Sequence, residues 1–306
     1  MSSVISSHNP DAVSRAVGVL NAGGLVGLPT ETVYGLAARA DIDDAVTRIF
    51  HAKGRPMGHP LILHISEISE LDRYAIEVPL PALTLAQQCW PGPLTLLLHK
   101  TEAVSSLVTG GRETVAIRIP ANECARQIIK QCGNAVSAPS ANIFGHVSPT
   151  SAQHVVSDLG DKVDLIIDDG NCSIGVESTI VDFTTDQPQL LRPGGFPVED
   201  LESIIGQQIL MPTGESRASG MLASHYAPRC RVVVAESIDI AKRALSDYGN
   251  ARILDHWDNS PLYAASLYTQ MRQADEDGME AVIAVFPPKS GLGMAIRDRL
   301  IKASFL

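Results

Sequence analysis

A chain of 306 residues, 45% hydrophobic and 19% charged, is long enough to bury a substantial core and is expected to form one large or two modest domains. Its formal net charge of -10, from 34 Asp and Glu against 24 Lys and Arg, argues against a protein that coats nucleic acid non-specifically. It leaves room for a local basic pocket that takes one phosphorylated ligand.

The N-terminus, "MSSVISSHNPDAVSRAVG", lacks a basic start followed by an apolar stretch, so no secretion leader is expected. No apolar run approaches the roughly 20 residues of a membrane helix. Val13, Ala16, Val17 and Leu20 recur at helical spacing until Gly23 and Gly24 stop them, and "LVGLP" follows as a short strand. "DDAVTRIFHAKG" reads as a helix capped by Asp41 or Asp43, with Val46, Ile49 and Phe50 on its buried face. "PLILHI" is a strand, "ALTLAQQCW" a helix ended by Pro91, and "LTLLLH" and "TVAIRIP" are strands. "ECARQIIKQ" is a helix, "NAVSAPS" a strand running into a loop, and "TSAQHVVSDLG" a helix capped by Thr150. "VDLIIDDG" and "STIVDF" are strands, and "LLRPGG" leaves another. Several strands lie too close together for helical crossovers, so an α/β fold with a mixed sheet is expected.

From residue 211, "MPTGESRASGMLASHYAP" loses all period and reads as a linker or lid. Beyond it "RVVVA", "ARILDH" and "AVIAVFP" are strands that alternate with three helical segments, the pattern of a small open parallel sheet. The expected division is residues 1–210, a linker over 211–228, and a small α/β unit over 229–306. The cysteines Cys89, Cys124, Cys132, Cys172 and Cys230 are scattered and form no CxxC pair, which favours a reducing cytosol over a disulfide framework or zinc site.

No phosphate-binding GxxxxGK[ST] motif and no HExxH motif is present. "GLGMAI" lacks the third glycine of a dinucleotide loop and reads as a turn before a helix. His59 and His64 are spaced too loosely for a helical ligand pair. The cations are more informative. Lys53 and Arg55 flank Gly54 and precede Pro56, which break the helix and turn the pair outward, off the core. A fork and a point charge held together suit a polyphosphate. "SAPSANIFGHVSPTS" brings Ser137, Ser140, Asn142 and Ser148 onto a loop pinned by two prolines, and small residues there let backbone amides approach a phosphate. "PTETVYG" sets Thr30, Glu31 and Thr32 at a strand end, "GVESTIVDF" sets Glu177, Ser178 and Thr179 before a strand, and Arg192 leaves one. Together these residues describe a pocket for a polar anion. Arg118 alternates with Ile117 and Ile119, so its head enters one face, to meet a ligand carboxylate or a core acid.

In order and spacing, "PTETVYGLAA", "KGRPMGHPLILHI", "WPGPLTLLL", "VAIRIPA", "APSANIFGHVSPT", "GVESTIVDF" and "LLRPGG" resemble the YrdC-like threonylcarbamoyl-AMP synthases. "GMLASHYAP" and the segments after it look like the long, two-domain form of that family. The resemblance implies a twisted, concave mixed sheet with the site in its hollow, followed by a small Rossmann-like domain. It implies the joining of L-threonine, bicarbonate and ATP into L-threonylcarbamoyl-AMP with release of pyrophosphate, for N6-threonylcarbamoyladenosine in tRNA. The KxR and SxN motifs fall on Lys53, Arg55, Ser140 and Asn142. The remaining implied ATP contacts are His59, Thr114, Ser148, Arg192 and Tyr226. Implied threonine contacts are Thr32, His64, Arg118, Ala138 (through its backbone) and Ser178. Mg²⁺ would arrive on the ATP phosphates, and a downstream tRNA transfer machinery would take the product. Ser219 stands where the family often has proline, and the last unit is shorter than usual. Two rival readings are an RNA-binding protein using the same concave face, which would bind salt-sensitively, and carbamoyl transfer to another acceptor.

Overall fold

The computed structural model describes residues 3–212 and 225–305. Ser219 and most of the expected linker lie outside them. Among the described residues the first sheet has eleven strands: β1 Ser3–Ser6, β2 Val26–Leu28, β3 Gly35–Arg39, β4 Ile62–His64, β5 Ala75–Ile76, β6 Leu94–Lys100, β7 Thr114–Arg118, β8 Val136–Ser137, β9 Leu165–Asp168, β10 Thr179–Asp182 and β11 Gln189–Arg192. Their spatial order is β1-β9-β2-β3-β8-β4-β7-β6-β10-β11, with β5 on β6. The sheet is mixed: β4 pairs with β7 in parallel and with β8 antiparallel, and β6 pairs with β10 in parallel and β7 antiparallel. A second sheet of β12 Arg231–Ala235, β13 Ala251–Ile253 and β14 Ala281–Val285 has the order β12-β14-β13 and is parallel throughout.

The apolar periods make the core. The helix Asp43–Lys53 buries Val46, Ile49 and Phe50 against Leu36, Leu63 and Leu96 of the sheet. Burying one such side chain is worth roughly 1.5–3 kcal/mol, so the alternating pattern alone fixes which face of each element turns inward. Two expected caps move by one residue. Ile42 occupies the cap of the helix Asp43–Lys53 and offers no side-chain acceptor, so Asp43 and Asp44 favour the helix through the dipole of its first turn rather than as caps. Ser151, not Thr150, caps the helix Ala152–Leu159, accepting from the His154 amide. Among the elements not expected are β1, β3, β5 and the helices Leu71–Tyr74, Ser106–Thr109 and Val198–Ile205. β3 is "GLAAR", too short and too poor in β-branched residues to show a strand signal.

The two units share a packed joint. Val33, Val147 and Val176 of the first belong to one apolar cluster with Tyr263, Leu267 and Ile296 of the second. Arg272, on the helix Ser260–Glu276, pairs with Asp158 at 2.6 and 2.9 Å, and Thr269 meets Thr150 at 3.1 Å. Gly175 has φ +78 and sits so close to the Ala264–Ala265 backbone that a Cβ would collide with it. No helix of the described residues is long and apolar enough to cross a membrane.

Candidate functional site

A cleft opens where the ends of β4, β7 and β8 meet the loops before β3 and β10. Eleven of the residues anticipated from the sequence line it: Thr32, Lys53, Arg55, His64, Arg118, Ala138, Ser140, Asn142, Ser178, Arg192 and Tyr226. His59, Thr114 and Ser148 do not line it. His59 sits at the rim, edge-on to Phe144 at 5.5 Å, and Thr114 opens β7 at its far end. Ser148 is buried behind the wall and gives its hydroxyl to Glu177 at 2.6 Å.

The helix Asp43–Lys53 ends in a Schellman turn, with the Gly54 amide on His51 O and the Arg55 amide on Phe50 O, and Gly54 at φ +62. That reversal sends Lys53 and Arg55 to the same side. Both are buried, at 1% and 8% exposure, contrary to the expectation that they stand off the core. Lys53 Nζ donates to Ser140 O at 2.5 Å, Asn142 O at 2.7 Å and Asn142 Oδ1 at 3.3 Å. Its ammonium therefore builds the Ser140–Asn142 loop, and the Asn142 amide extends the brace to His146 O at 2.7 Å. Arg55 donates to Pro60 O at 3.0 Å and lies 5.4 Å from the Phe144 ring centre. Burial, and next the other's charge, pushes Lys53 well below the usual lysine range; burial drops Arg55 to about 10. An anion bound nearby would reverse both shifts.

At the other end, register places His64 beside Arg118 on parallel strands. Arg118 takes the core acid: Nη2 pairs with Glu31 at 2.7 Å, Nη1 donates to Thr32 Oγ1 at 2.9 Å and Nε to Gly92 O at 3.1 Å. Thr30 Oγ1 ties the turn together, donating to Val33 O at 2.6 Å and accepting from the Thr32 and Val33 amides. Arg192 grips Ser178, with Nε on its carbonyl and Nη2 on its hydroxyl, each at 3.0 Å. This close return needs Gly194, because a Cβ there would collide with the backbone of Glu177 to Thr179.

His225 and Tyr226 cover the cleft. The His225 amide bonds Lys302 O and the Ala227 amide bonds Gly145 O, so this segment spans from the last helix to the loop after Asn142. Tyr226 is buried with φ +65, a conformation a tyrosine adopts only under constraint. His225 is a site residue the sequence reading passed over. It stands beside Tyr226 in the same motif, and its buried Nδ1 has no partner among the described residues. Phe144, which touches Arg55, His59 and His225, was passed over too.

Burial, followed by Arg118 for His64, lowers both His64 and His225 to about 3. Each imidazole is neutral when folded, so between about pH 3 and 6.5 the unfolded chain binds more protons and stability falls as the pH drops. We expect the melting temperature to decline below pH 6.5. His225→Gln should flatten that decline by up to about 2 kcal/mol at pH 5. Melting curves from pH 5 to 8 check this; parallel curves for both proteins would contradict it.

The cleft thus has a polar end at Thr32, His64 and Arg118 and a cationic end at Lys53, Arg55 and Arg192. The model of the Sua5, YciO and YrdC proteins, described as telomere recombination, matches residues 18–194, and the chain belongs to that family. A second family model, described as the C-terminal domain of threonylcarbamoyl-AMP synthase, matches residues 196–304. The chain is 42% identical to the threonylcarbamoyl-AMP synthase of Pyrococcus abyssi, covering 94% of this chain and 93% of that one. It is 39% identical to the Bacillus subtilis protein of that name, covering 97% and 94%. The crystal structure of P. abyssi Sua5 complexed with L-threonine superposes with a TM-score of 0.92 at 39% identity, covering 99% of this chain and 97% of that one.

Proposed function

We infer that the chain is a threonylcarbamoyl-AMP synthase, an AMP-transferring enzyme that uses ATP and L-threonine. The observation that carries this reading is the convergence of Thr32, His64, Arg118 and Ser178 with Arg55, Arg192 and the Lys53-braced loop in one cleft. The threonine amine and bicarbonate give N-carboxythreonine and water. One carbamate oxygen then attacks the α-phosphorus of ATP, and the bond to the β-phosphate breaks to release pyrophosphate. Two anions meet in this step, so stabilising it is chiefly electrostatic.

Arg55 and Arg192 supply the fixed positive charge. The amides of the Ser140–Asn142 loop, held by Lys53, receive phosphate oxygens, and His59 reaches the nucleotide from the rim; Ser148 acts through Glu177, which takes its hydroxyl, and Thr114 stands too far along β7 to share in this. Thr32 orients threonine; Arg118, held by Glu31 and Thr32 where it lines the cleft, meets its carboxylate. Neutral His64 and the Ala138 backbone complete that end. Mg²⁺ enters with its nucleotide.

The cleft has a free volume of about 50 Å³, whereas ligand pockets run to roughly 300–1,000 Å³. Nucleotide entry therefore requires the His225–Tyr226 cover to lift, and its return excludes water from the adenylate. We assign residues 1–210 as the catalytic domain, 211–228 as linker and cover, and 229–306 as the small C-terminal domain. The setting is the cytoplasm, and the product passes to tRNA transfer machinery.

Incubation with ATP, bicarbonate and amino acids tests the reading: pyrophosphate should appear only with threonine and bicarbonate together. Serine should react about 10- to 200-fold less efficiently, since a methyl lost from the niche beside Ile62 and Ala138 costs about 1–3 kcal/mol. RNA binding without pyrophosphate release would favour the binding-protein alternative.

A further inference from the structure

The C-terminal unit reaches the cleft through the His225–Tyr226 cover and through one carboxylate of the wall. Among the described residues Glu177 is the one acid that lines the cleft, and it is buried. Its Oε1 accepts from Ser148 at 2.6 Å and from Tyr268 at 3.2 Å; its Oε2 accepts from Tyr268 at 3.0 Å and from Arg299 Nε at 2.7 Å. Tyr268 lies on the helix Ser260–Glu276 and Arg299 on the helix Leu292–Ala303, so two of these three donors come from the second unit. Arg299 is fully buried, its guanidinium carbon is 4.9 Å from the Tyr226 ring centre, and Tyr226 stacks on Tyr268 at 5.9 Å.

A carboxylate at the cationic end of an anion site is a hazard in two ways. It repels a triphosphate, and it competes for Arg192, which grips Ser178, the very next residue. Protonation does not remove the hazard. Burial raises the Glu177 carboxyl, but Arg299, then Arg192, outweigh burial and hold it at about 2, fully ionised. A buried ionised carboxylate must find a cation, and among the described residues Arg299 and then Arg192 act on Glu177. We propose that Arg299 is a positioning residue for the nucleotide site: with Tyr268 it holds Glu177 against the C-terminal unit and so keeps this carboxylate from competing with phosphate for Arg192. The second unit thereby sets the charge of a cleft that its helices do not line. This inference rests on the ATP-site reading above.

Arg299→Met, Arg299→Lys and the double variant Glu177→Gln/Arg299→Met in the full chain test it, with ATP affinity measured by equilibrium binding alongside KM and kcat. Arg299→Met should weaken ATP binding and raise its KM by about tenfold to a hundredfold, the scale of one charge-assisted contact, while the KM for threonine moves less than threefold or so. Arg299→Lys should lie between. The double variant, which removes the competing acid as well, should recover ATP binding to within about threefold of the parent. A purely structural role for Arg299 makes the double variant as weak as the single one, and that result overturns the inference. So does wild-type ATP affinity in Arg299→Met. If Arg299→Met does not fold, Arg299→Lys and the double variant decide by the same comparison. A parent that binds ATP but forms no pyrophosphate would sink the proposed reaction and leave this inference standing.

Discussion

Arg192→Met is expected to lower kcat/KM for ATP by about 10²–10³, the usual loss when one preorganised donor to developing charge is removed. Arg192 sits at the end of β11 with 4% exposure and donates to both the carbonyl and the hydroxyl of Ser178. Burial depresses its basicity, so a phosphate oxygen that approaches it gains a partner already desolvated and oriented. Arg192→Lys should recover little, because an ammonium cannot hold the Ser178 carbonyl and hydroxyl and a phosphate with the same fork. Steady-state pyrophosphate release by the three proteins checks this. Equal rates would remove Arg192 from the phosphate site.

Lys53→Ala should lose activity by more than about 100-fold for a different reason, and should also destabilise the fold. The sequence reading placed Lys53 on phosphate and off the core, so that its loss would spare folding. Instead its ammonium is enclosed by three acceptors of the Ser140–Asn142 loop. Removing it orphans buried carbonyls, at about 2–4 kcal/mol in total. At roughly 2–4 °C per kcal/mol for a chain of this size, the melting temperature should fall by roughly 5–15 °C. Lys53→Met, which keeps the stem but not the charge, should be equally inactive. A Lys53→Ala protein that melts like the parent would show that the loop stands without its brace.

The order of strands and helices was legible because apolar period and Gly or Pro stops are local signals. β3 escaped because "GLAAR" is too short and small to carry a period, and it becomes a strand only by lying between β2 and β8. Most of the cleft was legible as motifs, yet the partners of its charges were not. Nothing local says that Arg118 meets Glu31, 87 positions away, or that Glu177 meets Arg299, 122 positions away. Ser148 shows the same limit: its motif was visible, but Glu177 takes its hydroxyl. Identity of a site residue is written in sequence; what its charge is spent on is written in long-range packing.

The route of oxygen tests the chemistry most directly. With ¹⁸O-labelled bicarbonate, unlabelled ATP and threonine, carbamate attack on the α-phosphorus puts one ¹⁸O in the bridge between carbonyl carbon and phosphorus. The ³¹P resonance of the threonylcarbamoyl-AMP product should therefore shift upfield, and the pyrophosphate should carry no label. Label in the released phosphates, or pyrophosphate formed from ATP and bicarbonate before threonine is added, would contradict the account.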